Sequence, residues 1–383
     1  MEDNIMDKID LNSDILKKIE VNKNYCINCK QCFNVCPMMK EYSSSPKKLM
    51  EEMLCEKKVD KNIPYSCMNC DVCKVKCPKD IDLKEMFYNM RVNIFTENTK
   101  SIKELGINTI RFHQINSFSS IFSRSFIDKS TRKVFLPGCS LSAYNADLVL
   151  KTYDYLNSNI KDLGLIFECC SKPTLSLGDK NKFNQYYSRL EKLFKENNIN
   201  EVIVACPNCY KTIKENSPNV KVTLIWEVIN KYGLPKKLEN SYNDISIEFS
   251  LHDPCPVRYE NNVHEDVRKI LYKLGIKVVE FDQNRKKTQC CGAGAMVGVT
   301  NPKVAKKQME RRSREAKTEN IICYCQSCCE SMISVGKPTI HILDLLFNNM
   351  VINKNKFYQE KTTVINKWKT RYKGVHLGKK LKK

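Results

Sequence analysis

Long apolar runs are missing from this sequence of 383 residues. No window approaches the roughly 18 consecutive apolar residues that a membrane-spanning helix needs, and the best stretches are fragments such as 201–205 and 340–346. Membrane contact is therefore expected to be peripheral at most, or made through a partner. The opening segment MEDNIMDKIDLNSDILKKIE mixes charge with apolar residues throughout, so neither a signal peptide nor a transit peptide is expected, and a cytoplasmic location is the default reading. A dinucleotide fingerprint is missing as well. Gly292, Gly294 and Gly298 spell GxGxxxG, one residue too long, and they follow a cysteine pair instead of a strand. No flavin site is recognisable, so a flavoprotein or another redox subunit is the expected partner.

Cysteine is what the chain has in excess: 21 residues. A secreted disulfide scaffold is short and pairs an even number of thiols, so metal or redox chemistry is the better reading. The length suits two or three domains. The formal charge of +21 does not describe a broad basic face, because residues 351–383 hold eleven Lys or Arg against one Glu. That segment reads as a solvated, partly disordered basic tail. Docking to an acidic partner or a membrane surface comes second, and nucleic acid is the reading it favours least.

Cys26, Cys29, Cys32 and Cys36, followed by Pro37, spell CxxCxxCxxxCP, and Cys67, Cys70, Cys73 and Cys77, followed by Pro78, spell it again. Three thiolates at three-residue steps can grip three irons of one cubane, while the fourth is carried to the neighbouring cluster. The expected sets are Cys26, Cys29, Cys32 and Cys77 for one [4Fe-4S] cubane, and Cys67, Cys70, Cys73 and Cys36 for the other. Zinc modules use two separated CxxC pairs and leave the third cysteine of each run unexplained. The insert between the motifs predicts a helix over 46–58, an arrangement that looks like the α-helical ferredoxin modules of multi-subunit respiratory enzymes. Cys55 in this insert reads as a packed thiol. The spacing of Leu83, Met86, Phe87, Met90 and Ile94 predicts a helix over 82–97 that closes over the clusters. Residues 98–130, rich in Ser and Asn, read as a connector.

Beyond the connector the chain repeats itself. Cys139 is matched by Cys255, Cys169 and Cys170 by Cys290 and Cys291, and Cys206 and Cys209 by Cys325 and Cys328, at offsets of 116, 121, 121, 119 and 119. Apolar runs lead into the cysteines, with helices expected over 143–157, 181–197, 265–274 and 302–317 and strands over 163–167, 201–205 and 276–281. Strands alternating with helices imply small α/β layers, with cysteines at strand ends and in turns. For the ten cysteines three alternatives stand at this level: an iron–sulfur cluster in each copy, a zinc site in each copy, or a set of inert buried thiols. Zinc takes four ligands and leaves one thiol per copy without a role.

A lone cysteine, a cysteine pair and a CxxC at these intervals resemble the CCG-domain family of cysteine-rich iron–sulfur oxidoreductases. Two cubane motifs followed by two such domains are similar to the D-type subunit of heterodisulfide reductases, and the same order occurs in iron–sulfur subunits of anaerobic glycerol-3-phosphate dehydrogenase and glycolate oxidase. The resemblance spans about residues 20–350. It implies one or two noncubane [4Fe-4S] clusters, at Cys139, Cys169, Cys170, Cys206 and Cys209 and at Cys255, Cys290, Cys291, Cys325 and Cys328. The first pair reads Cys170-Ser171 where the family has CCG, and the missing glycine removes backbone freedom beside the ligands. Cys323 and Cys329 flank the last CxxC without an assignment, and His252 and Asp253 read as structural groups near the second site.

The expected architecture is α/β with an all-α N-terminal module: an α-helical ferredoxin domain over 20–97, the connector over 98–130, a first CCG domain over 131–240, a second over 241–350, and the basic tail over 351–383. The expected function is electron relay through two cubanes to a cysteine site that reduces a disulfide or oxidises thiols, with Cys290 and Cys291 as the catalytic pair. The alternative is a non-catalytic electron-transfer subunit of a flavin-dependent dehydrogenase.

Overall fold

A computed structural model of the chain describes residues 8–97, 99–235, 238–348, 351–353, 356–357 and 362–379. They divide into two units, and both draw on distant stretches of chain. The first holds Met1–Gln114 with Pro173–Phe183 and Gln289–Arg312; the second holds Ile115–Lys172, Asn184–Thr288 and Ser313–Lys383. A segment just after the first cysteine pair and a segment that contains the second pair therefore join the N-terminal module, a grouping that the linear boundaries read from sequence did not contain.

The first unit is built on helices with clear local signals. Ser13–Tyr25 starts where the Asn12 side chain accepts the Ile15 N–H, and Pro46–Glu56 starts at Ser45, which accepts the Lys48 N–H ahead of a proline in the first turn. Pro46–Glu56 stops at Lys57, which turns left-handed. Leu83–Glu97 buries Leu83, Met86, Phe87, Met90 and Ile94, as their spacing requires. Two short strands, β1 (Lys8–Asp10) and β2 (Lys58–Asp60), pair antiparallel beside these helices.

The second unit contains two sheets with one plan. The first has β3 (Arg124–Phe126), β4 (Lys133–Leu136), β5 (Leu163–Phe167), β6 (Glu201–Val204) and β7 (Lys221–Leu224) in the order β3-β5-β4-β6-β7. The second has β8 (Phe249–His252), β9 (Val278–Glu280), β10 (Asn320–Cys323) and β11 (Thr339–His341) in the order β11-β10-β8-β9. Reading β4 to β7 as β8 to β11 makes the two orders the same, and every one of these pairings is parallel. The duplication legible in the cysteine offsets is thus also a duplication of topology. β5 and β8 are apolar runs buried along their whole length, as parallel strands covered by helices should be.

Two segments are more ordered than their composition suggests. The connector forms the helix Ile107–Ser117 and then β3, an extra antiparallel edge on β5 with Phe126 opposite Leu165. The basic tail forms the helix Val364–Gly378, with Arg371, Gly374, Val375 and Gly378 buried on one face. A Cβ on Gly374 would stand 3.3 Å from the Phe167 ring, and one on Gly378 would stand 2.5 Å from the Phe126 ring. Lys369 and Lys373 share the outward side of this helix with exposed Val364, Ile365 and Tyr372, and the glycines allow its inner face to lie against the first sheet.

Candidate functional site

In the first unit both cubane motifs adopt one backbone pattern. Asn28 and Lys30 have positive φ, and so do Asn69 and Asp71 at the matching positions of the second motif. Left-handed residues between successive cysteines turn the chain tightly enough for three thiols to face one point. Cys36 and Cys77 follow the short helices Gln31–Asn34 and Val72–Lys76, and each stands before a proline.

The eight thiols fall into two groups in space. Cys26, Cys29, Cys32 and Cys77 line one cavity with Ile27 and Leu83. Cys36, Cys67, Cys70 and Cys73 line a second cavity, and Cys73 also borders the first. Burial, then the neighbouring Cys77, Cys26 and Cys29, push the Cys32 thiol up to about 12. Burial pushes Cys36 up to about 12 and Cys67 up to about 11, and Cys73 is raised well above the ordinary thiol range for the same reason, with Cys70, Cys67 and Cys36 adding repulsion. Thiols this close and this buried cannot ionise together unless a positive centre binds them. An all-sulfur donor set around each cavity fits a [4Fe-4S] cubane and suits no hard cation.

Cys290 lines the second cavity together with Cys36, Cys67, Cys70 and Cys73. Its Sγ accepts the Gly292 N–H at 3.3 Å, and its carbonyl accepts the Gln308 side chain at 2.7 Å. Cys291 is buried in the same loop. Gly292 has φ +96°, and a Cβ there would overlap Met309 Cγ and come within 3.0 Å of the Ala305 carbonyl, so this turn requires glycine.

In the second unit the cysteines sit just past the carboxyl ends of the parallel strands, beside the point where strand order reverses, the usual ligand position of an open α/β sheet. Cys139 opens the helix Cys139–Tyr144 after Gly138, whose φ of +85° leaves room that a Cβ, 2.8 Å from Cys206 Cβ, would fill. Cys209 Sγ and Cys170 Sγ are 3.4 Å apart. Hydrogen bonding from the Cys169 thiol brings Cys139 down to about 7 against the opposing effect of burial, and the charge of Arg371 adds to it. Cys206, at the N-cap of Pro207–Asn216, takes hydrogen bonds from the Cys209 and Cys325 thiols and lies well below the ordinary thiol range despite burial. The five first-copy thiols therefore form one continuous neighbourhood, and through Cys325 it reaches the second copy.

Ser171 keeps the turn that the missing glycine seemed to remove. Its φ is +59°, in the left-handed region, where the matching Gly292 also lies at positive φ. Its Oγ is buried without a hydrogen-bond partner among the described residues. A buried hydroxyl with no partner next to Cys170, inside a nest of soft donors, fits a bound sulfur-rich group at this site.

Of the second-copy cysteines in this unit, Cys255 is half-buried at the start of a short turn of helix, and Cys325 and Cys328 are buried at and just inside the N-terminus of Gln326–Ser334. A ring nitrogen of His252 lies within 4.8 Å of Cys328 Sγ. Cys323 hydrogen-bonds Cys329, and burial keeps Cys329 raised. Asp253 serves as a buried anchor: Arg268 donates to both of its oxygens at 3.1 and 2.9 Å, Tyr324 donates at 2.7 Å, and the Arg285 N–H donates at 2.7 Å. Burial alone would raise this carboxyl, yet His264 and Arg268 hold it far below the usual carboxylate range.

Sequence reasoning passed over four buried arginines, Arg91, Arg258, Arg312 and Arg371. For Arg91 a signal existed, since it stands one turn from Phe87 on the apolar face of its helix. Arg371 lay hidden in the lysine-rich tail.

Comparison with known proteins agrees with this plan. A 4Fe-4S dicluster domain matches residues 25–82, and a cysteine-rich domain matches twice, over 134–214 and 249–334. An uncharacterized iron–sulfur protein of Methanococcus maripaludis is 26% identical over 355 residues, covering 84% of this chain and 69% of that one. One subunit of the fumarate reductase (CoM/CoB) of Methanothermobacter marburgensis is 22% identical over 358 residues, covering 84% and 70%. The D-type subunit of the dihydromethanophenazine:CoB–CoM heterodisulfide reductase of Methanosarcina acetivorans is 22% identical over 304 residues, covering 72% and 73%. No helix of the described residues is long and apolar enough to cross a membrane.

Proposed function

From the matches of a 4Fe-4S dicluster domain and of two cysteine-rich domains to this chain, we propose an oxidoreductase that relays electrons from the dicluster module to a cysteine-rich site, where a disulfide is reduced or the corresponding thiols are oxidised. In this reading Cys26, Cys29, Cys32 and Cys77 hold one cubane and Cys36, Cys67, Cys70 and Cys73 hold the other. Cys139, Cys169, Cys170, Cys206 and Cys209, and Cys255, Cys290, Cys291, Cys325 and Cys328, hold the noncubane clusters. Bound there, such clusters supply one-electron storage and transfer.

The observation that carries this reading is the place of Cys290 on the wall of the cavity formed by Cys36, Cys67, Cys70 and Cys73. Cys291 follows directly in the chain, so the proposed catalytic pair stands on the loop that borders the dicluster ligands. Breaking one disulfide bond consumes two electrons and two protons and yields two thiols, so a short path that delivers electrons in succession is what the chemistry needs. Gly292 and Gln308 fix the main chain of this loop on either side of Cys290, so the path does not depend on a mobile segment. The setting is taken as cytoplasmic, with any membrane contact made through a flavoprotein or other redox partner.

Cys291→Ser tests the assignment. With a reduced viologen as donor and low-molecular-weight disulfides as acceptors, the variant should lose disulfide turnover and keep the paramagnetic signals of the dicluster module; unchanged turnover would sink the catalytic role of the pair. The second reading, an electron-transfer subunit without chemistry of its own, is favoured by relatives that are themselves named as subunits. Iron per chain after anaerobic purification separates the two. Roughly sixteen irons, four for each of four clusters, support the disulfide site, whereas roughly eight load only the N-terminal module.

A further inference from the structure

Arg91 lies inside the first unit, fully buried, on the helix Leu83–Glu97. Its guanidinium meets only main-chain carbonyls: Nε donates to Pro64 O at 2.8 Å, one terminal nitrogen to Ser176 O at 2.7 Å and Ala295 O at 3.0 Å, and the other to Cys67 O at 2.7 Å. The guanidinium carbon stands 4.9 Å from the centre of the Tyr65 ring. Among the described residues no carboxylate pairs with it. A buried cation without a counter-charge is unfavourable by several kcal/mol, so a charge of opposite sign is expected close by. The nearest anionic source is the set of Cys36, Cys67, Cys70 and Cys73, and the Cys67 carbonyl is already in the arginine's grip.

The carbonyls it holds have a pattern. Ser176 lies six residues after Cys170 and Ala295 four residues after Cys291. A single nitrogen thus donates to a carbonyl just after the cysteine pair in each copy of the repeat. Tyr65, under the guanidinium, donates its hydroxyl to Leu177 O at 2.8 Å, and its own carbonyl accepts Thr300 Oγ1 at 2.7 Å. Gly178 passes so close that a Cβ there would stand 2.6 Å from the Arg91 carbonyl carbon. Segments Pro173–Phe183 and Gln289–Arg312 therefore meet the second cysteine set at one side chain.

We propose that Arg91 is a positioning residue with two linked tasks: it latches the matching segments of both cysteine domains onto the ligand loop of the second cubane, and its charge sets that cubane's reduction potential. The inference rests on Cys36, Cys67, Cys70 and Cys73 holding a cubane; it does not depend on a disulfide being the substrate. A cation beside a site that gains negative charge on reduction favours the reduced state. The second cubane is then the electron sink of the module, adjacent to Cys290.

Arg91→Gln and Arg91→Lys, made in the full chain and purified anaerobically, separate the two tasks. Arg91→Gln should move the midpoint potential of one of the two dicluster signals to a more negative value and leave the other in place. Arg91→Lys keeps the charge but lacks the fork, so its potential should stay near the parent's, while amide exchange in 173–183 and 289–312 speeds up by about tenfold or more as the carbonyl latch is lost. An unchanged potential in Arg91→Gln, or unchanged exchange in both variants, overturns the proposal. Lack of disulfide turnover in the parent would count against the proposed reaction and would leave both of these readouts standing.

Discussion

The two copies of the repeat share a sheet order and differ in what lies around it. The first copy gathers five thiols, Cys139, Cys169, Cys170, Cys206 and Cys209, within one unit, and the tail helix adds the buried Arg371 near them. The second copy gives its cysteine pair to the loop at the dicluster cavity, and supports the chain before Cys255 on Asp253, where the first copy has Pro137. Duplication supplied the same strand ends twice, and the segments between strands diverged. One copy keeps its five thiols together, while the other contributes its cysteine pair to the first unit.

Asp253 offers the largest break in that comparison. Asp253→Ala would leave the buried Tyr324 hydroxyl with His264 alone and take from Arg268 one of its two carboxylates, Glu280 remaining at 2.6 and 2.8 Å, and removal of one partner from a buried charged network costs up to about 3–5 kcal/mol. Anaerobic denaturation of the full chain should show a loss of that order, and a loss under about 1 kcal/mol would mean the network is not what anchors the second copy. The sign with pH follows from the depressed carboxyl: its contribution is present above the ordinary carboxylate range and is lost as pH falls through the folded-state value.

The acid in the first turn of each copy's last helix makes a second contrast. Glu227 on Ile225–Tyr232 is exposed, whereas Asp344 on Ile342–Phe347 is buried and takes the Tyr144 hydroxyl at 3.0 Å. Burial raises Asp344 from 3.8 to about 6, with Tyr144 and Asn348 opposing. A raised carboxyl binds its proton more tightly when folded, so stability falls as pH rises between those two values and stays low above them. Asp344→Asn keeps an acceptor for Tyr144 and removes the charge. It should stabilise the chain by about 2 kcal/mol at pH 7.5, with a smaller gain at pH 5; an equal gain at both would assign the effect to packing instead.

The strand runs and the long helices were legible because each depends on local spacing. Three features were not. The membership of 173–183 and 289–312 in the first unit is decided by contacts between stretches far apart in sequence, and no periodicity carries that information. The helix over 364–378 was obscured by composition: its lysines read as solvated charge, and the face that packs consists of Arg371, Gly374, Val375 and Gly378, two of them glycines with no apolar signal. Asp253 was noticed beside His252, but its partners Arg268, Arg285 and Tyr324 come from three separate elements that only the folded chain assembles.

The smallest effect concerns the one position where the repeat breaks its own motif. Gly292→Ala should destabilise by about 1–3 kcal/mol, because φ there is unsuited to an L side chain and the new Cβ meets Met309 and the Ala305 carbonyl. Ser171→Gly runs the other way. It releases a left-handed serine, worth about 1 kcal/mol, and removes a buried hydroxyl without a partner. Glycine's greater freedom in the unfolded chain takes back about 0.5–1 kcal/mol, so the net gain should stay within about 1 kcal/mol. Iron per chain should match the parent, because the turn that brings Cys169 and Cys170 to Cys139 and Cys209 is already made with serine. A loss of iron in Ser171→Gly would instead give the hydroxyl a part in holding the first site, and the two copies would then differ in their donor sets as well as in their surroundings.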